Sequence, residues 1–141
     1  MRQAPKSSGI RYSRARSAGL AIVFLWFLIG GIAHFALTDL EMRIVPPYIP
    51  WHRAAVLVSG VVELIGAIGL LFPSTRRAAG WLLFAVTIAV TPVHVWMLQT
   101  ADAWDVPYWA LLMRLPLQAA LLALILWSTW PRSTSRFYVG A

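Results

Sequence analysis

Apolar residues along this chain fall into four long runs separated by short polar or proline-rich segments. The runs are residues 18–37, 54–72, 78–97 and 109–130. Each has close to the ~20 residues that an α-helix needs to cross about 30 Å of hydrocarbon. A lone strand in lipid would leave its backbone groups unpaired, so each run must be helical. The pattern predicts an all-α fold: an integral membrane four-helix bundle in up-down-up-down order, with both termini on one side.

The polar flanks divide the chain into three predicted parts. Residues 18–130 form the four-span membrane domain, residues 1–17 a basic cytoplasmic leader predicted to be disordered, and residues 131–141 a basic cytoplasmic tail. The first run is longer than the apolar core of a typical signal peptide, and no small-residue cleavage site follows it. It is therefore predicted to be a retained span.

Composition supports a protein whose solvent is lipid. Hydrophobic residues make up 60% of the chain and charged residues 12%, about half the charged share of a soluble domain. The formal net charge is +7, but the basic residues lie beside the apolar runs, where they set orientation and contact anionic lipid. The predicted partner is the lipid bilayer and not nucleic acid. The absence of cysteine excludes disulfides, thiolate metal sites and thiol exchange, and no metal site is predicted.

The distribution of lysine and arginine predicts the orientation. Of the 12 basic residues, nine lie in the leader, in the turn at 73–77 and in the tail. The segment between the first two spans carries only Arg43 and Arg53. Because positively charged segments stay in the cytoplasm, both termini are predicted to be cytoplasmic and the protein to be a multi-pass inner-membrane protein.

Polar and ionisable side chains inside the predicted spans are few, and such groups mark candidate functional sites because they are costly in lipid. Glu63 and Gln118 each lie nine residues into their spans, near the bilayer midplane. Arg114 lies closer to the outer surface, and His34 and His94 closer still. The half of the bundle nearer the cytoplasm is almost wholly apolar.

Helical periodicity gathers these side chains into one stripe on each span. Ser59 lies one turn before Glu63, and Arg114 lies one turn before Gln118. Four such stripes are expected to meet in an outward-opening polar pocket floored by Glu63 and Gln118. The candidate pocket residues are His34, Ser59, Glu63, Thr91, His94, Arg114 and Gln118.

Structural interpretations of the same residues remain open. Glu63 and Arg114 are close enough in depth to form a purely structural ion pair, and the two histidines can be ordinary interfacial contacts. Pro92 and Pro116 each remove a backbone donor within a predicted span, so both helices are expected to kink near the pocket.

Four motifs resemble the DoxX-like family of small bacterial membrane proteins. They are Gly-Ile-Ala-His-Phe at 31–35, Val-Pro-Pro-Tyr-Ile-Pro-Trp-His at 45–52, Ser-Gly-Val-Val-Glu-Leu at 59–64 and Arg-Leu-Pro-Leu-Gln at 114–118. The resemblance extends from about residue 19 to residue 130 and implies a four-helix bundle in a bacterial cytoplasmic membrane. That family takes its name from a subunit associated with quinone-linked sulfur oxidation, so it also implies a quinone link. Where relatives often carry Pro-x-Asn, this chain has Pro92-Val93-His94.

Two main functions follow as hypotheses. In the first, the chain is a quinone-interacting subunit or accessory of a membrane oxidoreductase. Arg114, Gln118 and His34 would donate hydrogen bonds to the quinone and Glu63 would relay protons. Since the sequence has no flavin, nucleotide or catalytic motif, electrons would come from other membrane subunits or a soluble oxidoreductase. In the second, the protein is a non-enzymatic assembly or stabilising protein whose polar cluster is structural.

Haem binding and transport are less favoured. Haem ligation by His34 and His94 is disfavoured because two histidines at matching depth arise easily by chance. Transport is disfavoured because four spans show no paired repeats. No covalently bound cofactor is implied, and no catalytic residue can be assigned.

Overall fold

The computed structural model of the protein describes residues 13–130. The predicted tail and residues 1–12 of the predicted leader lie outside the described residues. Within them the chain is helical and contains no strand. The helices are α1 (Arg14–Ala36), α2 (Thr38–Ile44), α3 (His52–Leu71), α4 (Arg76–Ala89), α5 (Thr91–Gln99) and α6 (Tyr108–Thr129), with a 3₁₀ turn at Ala101–Ala103.

Four helical stretches are long and apolar enough, by length and composition, to cross a membrane. They are Arg14–Ala36, His52–Leu71, Arg76–Gln99 and Tyr108–Thr129, with mean hydropathies between 1.8 and 2.3. The third combines α4 and α5. These stretches correspond one to one with the four predicted spans, so the prediction of an all-helical protein with four apolar helices is confirmed.

Two facing glycines set the distance between α1 and α3. A Cβ atom on Gly60 would lie 2.7 Å from Cβ of His34 and 3.1 Å from the carbonyl oxygen of Gly31. A Cβ on Gly31 would lie 3.2 Å from the carbonyl oxygen of Gly60. Small residues let the two backbones approach closely. As a result, His34 at the end of α1 lies directly against α3.

The apolar core occupies one end of the bundle. It draws on the middle of α1, on α4 from Ala79 to Val86, and on the last halves of α3 and α6, which α1 and α4 both contact. Its buried members are Val23, Phe27, Ala67, Leu70, Ala79, Leu83, Val86 and Ile125. The predicted pocket residues lie outside this core: His34 comes later in α1, the polar residues of α3 and α6 come earlier than the core residues of those helices, and Thr91 and His94 belong to α5.

The third apolar stretch is interrupted at Val90, between α4 and α5. Pro92 lies in the first turn of α5, where its missing N–H is not needed. The sequence predicted a kink near Pro92, and the helix is instead broken two residues earlier, at Val90. In contrast, α6 continues through Pro116 without a break.

The proline-rich segment after α1 begins with a short helix that the sequence pattern did not predict. Helix α2 carries Asp39 and Glu41 in its first turn, where acidic side chains stabilise a helix. Thr38 Oγ1 donates to the carbonyl oxygen of His34 at 2.6 Å. The segment ends at Trp51, which has left-handed backbone angles (φ 53°, ψ 53°) just before α3.

Candidate functional site

A cavity of about 520 Å³ lies next to the apolar core, and Phe27 belongs to both. Residues of all six α-helices and of the segment between α2 and α3 line it. Six of the seven candidate pocket residues belong to its lining, and Thr91 does not. The polar lining residues are His34, Glu41, Ser59, Glu63, Thr87, His94, Arg114 and Gln118. Six of the residues that the sequence grouped together thus lie around one cavity.

On one side of the cavity, His34 lies between two carboxylates. Its Nε2 is 3.4 Å from Oε1 of Glu63, and its Nδ1 is in contact with a carboxylate oxygen of Glu41. Ionised carboxylates only accept hydrogen bonds, so a protonated imidazole nitrogen suits each of them. The contact with Glu41 is an ion-pair contact, since the buried Nδ1 has no hydrogen-bond partner. We refer to Glu41, His34 and Glu63 as the acidic cluster.

The acidic cluster depends on two local features. A Cβ on Gly30 would lie 2.9 Å from Oε2 of Glu63, so the glycine leaves space for the carboxylate between α1 and α3. Helix α2 turns back at Thr38 and brings Glu41 to the opposite side of the imidazole ring. Glu41 was not among the predicted site residues, because the sequence pattern assigned no helix to its segment.

The anticipated ion pair between Glu63 and Arg114 does not form. The partner of Glu63 is His34, and Nη1 of Arg114 instead lies 3.7 Å from Sδ of Met97. Depth along the helices alone suggested the pair, but the close approach of α1 to α3 gives Glu63 a nearer partner. Within residues 13–130, Arg114 forms no ion pair, so its guanidinium keeps several donors for other groups.

On the other side of the cavity, Gln118 connects three helices through hydrogen bonds. Its Nε2 donates to the carbonyl oxygen of Thr87 at 2.5 Å and to Oγ1 of Thr91 at 2.8 Å. Its Oε1 lies 2.8 Å from Nδ1 of His94. Thr91 thus contributes to the site as a partner of Gln118. We refer to Thr87, Thr91, His94 and Gln118 as the amide cluster.

The helix break at Val90 explains why Gln118 reaches Thr87. The last four carbonyl groups of a helix lack their usual donors. Thr87 lies in the last turn of α4, which ends at Ala89, so its carbonyl oxygen is available to another donor. The amide of buried Gln118 supplies a donor from α6. The sequence predicted the loss of a backbone donor at Pro92, close to this position, but it did not identify Thr87 as an acceptor.

Ser59 is bonded within its own helix. Its hydroxyl donates to the carbonyl oxygen of Ala55 at 2.9 Å. The hydroxyl proton is therefore already used, and Ser59 makes its part of the cavity wall only weakly polar. The remaining lining is largely apolar and includes Trp26, Phe27, Leu117 and Leu121.

The segment after α2 completes the cavity wall. Val45 and Ile49 of this segment line the cavity beside Ile44, the last residue of α2. The ring of Tyr48 meets that of Trp96 edge-on, with centroids 6.4 Å apart. Through this contact the segment packs against α5. Among the described residues, no group of three or more His, Asp or Glu side chains is arranged to hold a metal ion.

The fold is that of an all-helical protein with four membrane-length apolar helices and a polar cavity between them. The chain belongs to the family described as "Domain of unknown function (DUF8561)", whose model matches residues 20–132. The matched region includes both the acidic cluster and the amide cluster. No curated protein and no solved structure matches the chain.

Proposed function

We propose that the chain is a multi-pass protein of the bacterial inner membrane, with its four spans in up-down-up-down order and both termini in the cytoplasm. The contacts between α1 and α3 support this order, since Gly31 meets Leu64 and Gly60 meets His34. As the residue number rises along α1, the number of its contact partner on α3 falls, which is the pattern of antiparallel helices. The excess of basic residues near the termini supports the orientation.

We further propose that the cavity binds the head of a quinone-class lipid, and that the protein is a DoxX-like subunit or accessory of a quinone-linked membrane redox system. The observation that carries this proposal is the cavity itself. Its volume falls within the ~300–1,000 Å³ of small-molecule sites, which combine apolar walls with a few convergent polar groups. The resemblance of four sequence motifs to the DoxX-like family points in the same direction.

The polar groups suit a ring that carries two oxygen atoms. Arg114 has donors for one oxygen, and the amide cluster presents His94 toward another. The acidic cluster has two carboxylates and an imidazole in contact, an arrangement that can pass a proton between the ligand and the α2 surface. Aromatic and aliphatic side chains such as Trp26 and Leu121 supply the surface for an apolar tail. Electrons would be exchanged with a partner protein.

Native mass spectrometry of protein released from gently purified membranes tests this proposal. We expect a retained mass that matches a quinone, and we expect its occupancy to fall severalfold in Arg114→Leu. The matched control is Arg43→Leu, which changes an exposed arginine outside the cavity lining. Bare wild-type protein, or equal retention in Arg114→Leu and wild type, would count against the proposal.

A second candidate is a non-enzymatic assembly or stabilising role. It is favoured by the fact that both nitrogens of His34 already face carboxylates and that the nitrogen and oxygen of the Gln118 amide already have hydrogen-bond partners within the protein. The two clusters would then join α1 to α3 and α4 to α6. Retention of a partner polypeptide without any small molecule in the same spectra would favour this role.

A further inference from the structure

The surroundings of Gln118 allow one orientation of its amide. The Thr87 carbonyl, 2.5 Å from Nε2, can only accept a hydrogen bond. Reversing the amide would place two acceptor oxygens against each other and would leave its NH₂ group facing His94. The amide nitrogen must therefore face Thr87, and the amide oxygen must face His94.

This orientation fixes the proton on His94. An amide oxygen only accepts, so Nδ1 of His94, 2.8 Å away, must be the donor. In a neutral imidazole the other nitrogen then carries a lone pair. Within residues 13–130, Nε2 of His94 has no hydrogen-bond partner, and it is not a buried atom. His94 lines the cavity, which thus gains an acceptor nitrogen.

We infer that Gln118 is a positioning residue that holds His94 in its Nδ1–H form, and that Nε2 of His94 accepts a hydrogen bond from a ligand hydroxyl. The ligand class rests on the proposed function, and within that class the inference selects the reduced quinol. A quinone has only carbonyl acceptors, so its oxygen at Nε2 would face a second acceptor. A quinol hydroxyl donates to Nε2 and still accepts from a donor such as Arg114.

Nitrogen NMR of ¹⁵N-histidine-labelled protein in lipid nanodiscs tests the tautomer without any ligand. The measurement is made at pH 8, above the usual histidine pKa of about 6.5, and the signals of His94 are assigned by their loss in His94→Asn. We expect a protonated Nδ1 and a bare Nε2 in wild type. In Gln118→Met we expect averaged signals from both tautomers, whereas Gln99→Met, at an exposed position on α5, should match wild type. A protonated Nε2 in wild type would overturn the inference, and so would a wild-type pattern in Gln118→Met.

Binding of a short-chain ubiquinol and of its oxidised form to the same nanodiscs tests the ligand preference. We expect wild type to bind the quinol about tenfold more tightly, which corresponds to one hydrogen bond of ~1.4 kcal/mol. His94→Leu should bind both forms alike. Equal or tighter binding of the quinone by wild type would overturn the preference while leaving the proposed function intact. If neither the quinol nor the quinone binds, the proposed function is overturned. The NMR result would still decide the role of Gln118.

Discussion

Replacing Gly60 by alanine should separate α1 from α3. The new Cβ would lie 2.7 Å from Cβ of His34 and 3.1 Å from the carbonyl oxygen of Gly31, whereas carbon atoms in contact are about 3.5–4.0 Å apart. Neither neighbour is the end of a flexible side chain, so a backbone must move. Overpacking of this kind costs ~1–3 kcal/mol.

Gly30→Ala provides the matched comparison. Replacing glycine by alanine stabilises a helix by ~0.5–1 kcal/mol at either position. This contribution cancels when the two variants are compared. A Cβ on Gly30 meets only the carboxylate of Glu63, with Oε2 at 2.9 Å, and that side chain can rotate away. The free energy of unfolding should therefore be lower in Gly60→Ala than in Gly30→Ala by ~1–3 kcal/mol.

Reversible unfolding by dodecyl sulfate in mixed micelles, followed by far-ultraviolet circular dichroism, measures this difference. Val61→Ala changes an exposed side chain on the same helix and should leave the transition close to that of wild type. If Gly60→Ala proves as stable as Gly30→Ala, the close packing of α1 on α3 is refuted, and with it the placement of His34 beside Glu63.

Three further predictions follow from the two clusters and the orientation. Gln118→Leu should lower the free energy of unfolding by ~1–3 kcal/mol relative to Gln99→Leu in the same micelle assay, because it leaves the Thr87 carbonyl and Nδ1 of His94 without partners; equal stability would contradict the amide cluster. Glu41→Gln should increase hydrogen exchange in α2 severalfold without changing α3, since the contact with His34 ties α2 to α1; unchanged exchange in α2 would show that the contact is not stabilising. Because the chain has no cysteine, a membrane-impermeant maleimide should label Asp102→Cys but not Ser74→Cys in intact cells, and the reverse pattern would contradict the proposed orientation.

The apolar helices could be predicted because length and hydropathy alone constrain a membrane span. The grouping of Glu63, Gln118 and Arg114 near one cavity also followed from helical periodicity and depth. These arguments need only the rise per residue, and they place polar side chains on faces without specifying their partners.

The actual partners could not be predicted, because they depend on packing that one sequence does not reveal. Glu63 pairs with His34 because two glycines bring α1 and α3 together. Glu41 enters the site because α2 folds back from Thr38. Acidic residues after Thr38 are a helix-start signal that could have identified α2, but the prolines that follow favour a loop.

Photolabelling with an azido-quinone tests most directly whether the cavity is a quinone site. The wild-type protein in nanodiscs is irradiated with the probe, and labelled residues are mapped by peptide mass spectrometry, with and without excess unlabelled quinone. The account predicts labelling of cavity-lining residues such as Trp26, Leu117 and Leu121, suppressed by the competitor and by Arg114→Leu but not by Arg43→Leu. Labelling spread over exposed residues such as Ile22 and Met113, insensitive to the competitor, would contradict it.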